Sequence, residues 1–158
     1  MNTHVVRTLL LVTAVAVLTL ASLQANASPC SYASTAGSWA YTYTGTIFTP
    51  SGPLPAASVG HFMQDKAGNV SGSQARSVAG SSGIEDVSGS VTVNSNCTAS
   101  ATINVLVNGQ LQRTATLAVV YDSNGNHARM IFQSLTLPNG TNVPVVLTID
   151  ANRLSTKE

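Results

Sequence analysis

The chain has 158 residues, of which only 8% are charged, with 7 Lys or Arg against 6 Asp or Glu and a formal net charge of +1. No run of basic residues is present, which argues against a nucleic-acid partner and against electrostatic attachment to a membrane surface. Hydrophobic residues reach 44%, too many for a disordered chain and enough for one core.

In chain order, Arg7 precedes an uncharged run from Thr8 to Leu23 that closes on Ala25-Asn26-Ala27. A basic start, an apolar middle and a small-x-small end form the pattern of a secretory signal peptide. The reading is a leader helix over 1–27, cleaved after Ala27, and an exported domain over 28–158, extracellular or periplasmic. The apolar run falls short of the ~20 residues that a retained membrane helix needs, so no stable membrane insertion is expected after cleavage.

Cys30 and Cys97 are the only cysteines. In an oxidising compartment their default state is a disulfide, with two free thiols as the alternative. Neither a C-x-x-C nor an H-x-x-x-H spacing occurs, so no metal site is expected.

Beyond Pro29 the apolar residues alternate with period two rather than 3.6, and β-branched residues are frequent, which points to strands. The first runs from Ser38 to Phe48, with Trp39, Tyr41, Tyr43 and Ile47 on one face and threonines on the other. The segment Thr49–Pro55 contains three prolines, which cannot donate to a ladder, and is read as a loop. A second strand is placed from Ala57 to Gln64, followed by the turn Asp65–Asn69 and a third strand from Val70 to Val78.

Val87–Val93 alternates again as a fourth strand, and Cys97–Val107 as a fifth. Asn108-Gly109 is the strongest hairpin signal, because a type I′ turn needs two residues that tolerate positive φ. Gln110–Tyr121 follows, with Leu111, Ala115, Leu117, Val119 and Tyr121 expected on one face. The last two strands are His127–Leu137 and Val143–Arg153. Eight successive strands joined by short turns predict an all-β, antiparallel up-and-down barrel, since closure removes exposed edges. A two-sheet sandwich is the alternative.

Several of these segments together carry a resemblance: Cys30, Gly37-Ser38-Trp39-Ala40-Tyr41 and Gly45; Val59-Gly60-His61-Phe62; Gly68-Asn69-Val70-Ser71-Gly72; and Val87–Val93 with Cys97-Thr98-Ala99. The chain resembles exported, allene-oxide-cyclase-like barrels of the calycin-related kind. That resemblance implies the barrel fold. The plant cyclases' catalytic residues have no counterpart here, so it implies no activity.

Signatures of common catalysts are missing: no Gly-x-Ser-x-Gly, no phosphate loop, no His-Glu-x-x-His and no dinucleotide fingerprint, and no cofactor is expected. Glu85-Asp86 would point to opposite faces of a strand, which rules the pair out as acid and base on one substrate; a solvated strand start is expected there. His61, on a face with Val59 and Met63, becomes a candidate general base if that face is interior. The stripe Trp39, Tyr41, Tyr43 is the best candidate binding surface. Directed inward, it would meet Tyr121 and Arg129 near a mouth, and suit a small, mostly apolar ligand. The expected function is therefore an exported barrel that binds a small hydrophobic molecule. The alternatives are a cofactor-independent isomerase or cyclase that shapes its substrate in the cavity, and a structural or adhesive surface protein.

Overall fold

The structure, a computed structural model, describes residues 30–122 and 124–155; the expected leader over 1–27 lies outside them. A short helix α1 (Tyr32–Thr35) precedes β1 (Gly37–Thr49), β2 (Gly52–Gln64), β3 (Asn69–Val78) and β4 (Ser81–Val93). Then follow β5 (Thr98–Val107), β6 (Gln110–Tyr121), β7 (His127–Thr136) and β8 (Val145–Ser155). Each strand pairs antiparallel with the next and β8 pairs with β1, so the sheet closes into an eight-stranded meander barrel rather than a sandwich.

Period-two alternation decides which side chains fill it. On β1, Trp39, Tyr41 and Tyr43 are buried while Thr42 and Thr44 are exposed. Leu117, Val119, Leu147 and Ile149 are buried from β6 and β8, and Thr148 faces solvent. Each such large apolar side chain contributes roughly 1.5–3 kcal/mol relative to exposure. The Asn108-Gly109 turn takes φ values of 50° and 76°, as a primed turn requires.

The strands depart from the sequence reading in four places, one of them the start of β4 at Ser81 rather than Val87. First, β2 starts at Gly52, not Ala57, and includes two of the three prolines. Pro55 offers its carbonyl to Ala79 N–H, on the side away from β1. A residue's N–H points the same way as its C=O, so the missing proline donor faces away from the β1 ladder. Pro53, two residues back, shares that orientation.

Second, the inner face of β2 is Ala56, Ser58, Gly60, Phe62 and Gln64, because these residues register against the inward residues of β1: Phe62 opposite Trp39, and Gly60 opposite Tyr41. Val59 and His61 point outward. Gly60 makes room for the Tyr41 ring, since a Cβ there would stand 2.7 Å from the ring's Cζ. Third, the register of β5 with β6 shifts after Val105, which pairs with Arg113 while Leu106 pairs with Leu111. The bulge at Gln112 turns Leu111 outward, where it is 42% exposed.

One end of the barrel is plugged. Ser31 caps α1 in a reciprocal capping box with Ser34. Cys30 and Cys97, 67 residues apart, form a disulfide that ties the segment before α1 to the turn between β4 and β5. A loop of that size stabilises by roughly 4 kcal/mol in the chain-entropy picture. Trp39 is fully buried under α1 and donates from its indole Nε1 to the Thr35 carbonyl at 3.1 Å. The Trp39 ring also stacks on Phe62 and lies 5.2 Å from the Arg153 guanidinium carbon.

Candidate functional site

Above the plug lies a cavity of about 280 Å³, walled mostly by apolar side chains, among them Tyr43, Phe62, Ile103, Leu117, Phe132 and Ile149. Its floor is polar but internally paired. Gln64 donates to the Thr35 hydroxyl at 2.8 Å and accepts from the Tyr121 hydroxyl at 3.2 Å. Burial pushes the Tyr121 phenol up to about 12, so at neutral pH it stays a hydroxyl donor.

Toward the other end, where the turns at 50–51, 79–80 and 108–109 lie, the cavity wall carries charge. Glu85 is 2% exposed, at mid-height on β4. Its Oε1 accepts from Arg76 Nε at 2.5 Å and Arg113 Nη1 at 2.8 Å; its Oε2 accepts from Arg113 Nη2 at 2.5 Å and Gln74 Nε2 at 2.7 Å. Gln74 in turn accepts at Oε1 from the Tyr41 hydroxyl at 2.8 Å and the Ser58 hydroxyl at 3.1 Å. Burial alone would raise the Glu85 carboxyl, but Arg113 above all, then Gln74 and Arg76, hold it below the usual range. Burial raises the Tyr41 and Tyr43 phenols, against the opposing pull of Arg113.

Glu85 is thus an inward, saturated anion and not the start of a solvated strand. Asp86 does face solvent, as the opposite-face reading requires. The register explains the difference: β4 begins at Ser81, and Glu85 has the same parity as Val87 and Val91, which are buried. A carboxylate offers about four lone-pair directions, and all are taken, so Glu85 has no open position for a substrate proton.

The sequence candidates fall into two groups. Trp39, Tyr41, Tyr43 and Tyr121 all point inward; Tyr41, Tyr43 and Tyr121 line the cavity, and Trp39 belongs to the plug beneath it. His61 and Arg129 are exposed on the outer face and do not reach the cavity. Arg129 shares a shallow external groove with Thr42, Thr44 and Asp150. The cavity's charged residues are instead Arg76 and Arg113, with Glu85 behind them. Arg113 stands at the parity of Ala115, Leu117 and Val119, which is the signal that could have found it. Among the described residues no group of three or more His, Cys, Asp or Glu side chains converges as a metal site.

No family model matches the chain, and no curated protein matches it. Among solved structures it is similar to a redesigned beta barrel, at 18% identity and a TM-score of 0.49, over 81% of this chain and 100% of that one. The fold stated here rests on the chain's own strand register. The resemblance to allene-oxide-cyclase-like barrels has no family match behind it.

Proposed function

We propose that this is an exported protein whose barrel interior binds a small, largely apolar molecule. The observation that carries the reading is the cavity of about 280 Å³ above a sealed floor, lined by aromatic and aliphatic side chains with few polar groups. At ~30 Å³ for each water-sized group, that volume holds on the order of ten non-hydrogen atoms. Export is supported by the leader pattern over 1–27 and by the Cys30–Cys97 disulfide, a bond that persists in oxidising compartments.

The test uses 1-octanol as a neutral probe, titrated into the disulfide-bonded protein and followed by amide and methyl chemical shifts. Saturable shifts centred on Leu117, Phe132 and Ile149 are expected. Shifts that never saturate, or that scatter over the outer face, would remove the reading. N-terminal sequencing of the protein from the exported fraction is expected to begin at Ser28.

A further inference from the structure

We infer that the ligand of this cavity is an amphiphile with a single carboxylate head group, held by Arg76 on the mouth side with Arg113 adding its charge beside it; the inference rests on the cavity reading above and adds the head group to it. Inside the wall, two guanidinium groups face one carboxylate, Glu85. The cluster therefore carries one positive charge in excess, in surroundings of low dielectric where charge is felt strongly.

The donors are divided unevenly. Arg113 spends both terminal nitrogens on Glu85 in a fork, whereas Arg76 reaches Glu85 only through Nε. The two terminal nitrogens of Arg76 have no protein acceptor among the described residues, and they are not sealed off, since the only fully buried unpartnered side-chain nitrogen or oxygen found there is Arg153 Nε. Both arginine side chains remain partly exposed, 28% for Arg76 and 18% for Arg113, and both line the cavity. The protein thus presents a planar pair of N–H donors at the rim of an apolar chamber.

One negative charge cancels the excess. A planar carboxylate matches the guanidinium edge with two parallel hydrogen bonds, and a doubly charged phosphate ester would overshoot the neutral balance. The tail of such a molecule then lies among Tyr43, Phe132 and Leu117. A cation is disfavoured by the same excess charge, and a neutral alcohol leaves it uncompensated.

Three probes with the same chain test the assignment on the unaltered protein: n-octanoate, 1-octanol and n-octylammonium, titrated at neutral pH by calorimetry. Octanoate is expected to bind at least about tenfold tighter than 1-octanol, and octylammonium weaker than both. Arg76→Gln is expected to bring octanoate to within about twofold of 1-octanol, both measured on that variant. If 1-octanol binds and octanoate binds no tighter, the head-group assignment is overturned and the cavity reading stands. If none of the three binds, the cavity reading fails and takes this one with it. An Arg76→Gln protein that folds and keeps the octanoate preference also overturns it. Should that variant not fold, the ranking of the three probes on the native protein decides alone.

Discussion

At the α1 end, Trp39, Gln64 and Tyr121 are shut beneath a helix, Trp39 and Gln64 donating to Thr35 and Tyr121 to Gln64, whereas toward the other end a buried Glu85 is held by the partly exposed Arg76 and Arg113 beside an open chamber. Both ends put polar atoms inside a barrel, at opposite cost. The first pairs Trp39, Gln64 and Tyr121 with neutral partners, lays the one guanidinium of Arg153 over the Trp39 ring and adds a disulfide. The second takes Glu85 out of water almost entirely and its two arginines in part, and desolvation consumes most of what such ion pairs return. A buried arrangement of that kind is weak evidence for stability and better evidence for a site.

The largest effect separating the ends is expected from the plug. Trp39→Ala empties the most buried ring of the core and should cost about 3–5 kcal/mol in urea unfolding. A loss under about 1 kcal/mol would mean that α1 and the disulfide hold this end without it. At the charged end, Glu85→Gln strands two arginines and should cost about 3 kcal/mol or more. Replacing all three with leucine tests the comparison directly: stability is expected to be unchanged or higher by about 1–4 kcal/mol. A triple variant that unfolds would show that the ions hold the barrel together.

Acid sharpens the contrast. A carboxyl whose folded pKa is depressed stabilises above its unfolded value, ~4.3 for Glu, and loses that contribution as pH falls through the folded value. The urea midpoint should therefore be level from neutral pH down to about 5, then decline. The triple leucine variant should decline less. It keeps the smaller slope of Asp65, held low by Asn69 in an exposed turn. A native midpoint indifferent to acid would contradict the Glu85 network. The smallest expected effect is Tyr41→Phe, which removes one donor to Gln74 and should cost about 1 kcal/mol.

Barrel class, strand number and the inward aromatic stripe were legible because period-two patterning is strong on β1, β5, β6 and β8. On β2 hydropathy left open which face was interior, for a physical reason. Its inward positions are Ala56, Ser58, Gly60, Phe62 and Gln64, with Gly60 bare where the Tyr41 ring needs the space, while the outward face also carries apolar Val59 and Met63. Leu111 was misplaced by a bulge, and a bulge leaves little trace in hydropathy. The charged cluster was partly readable: Glu85, Arg76 and Arg113 each have the parity of buried valines or alanines on their own strands. The sequence reading took Glu85 for the start of a solvated strand and singled out neither Arg76 nor Arg113. Only the pairing of Gln74 with Glu85, and of Val87 with Val105, brings them around one interior.

The closure of β8 onto β1 has a further consequence. Ser38 lies opposite Ser155, so the barrel's first and last strands meet at the same end, and no ladder depends on where the polypeptide is severed. A circularly permuted protein, with 155 linked to 37 and new termini opened between Asn108 and Gly109, would keep every strand neighbour. The segment carrying Cys30 and α1 would then need a new attachment, which makes the rearranged molecule a way to weigh the barrel apart from its plug.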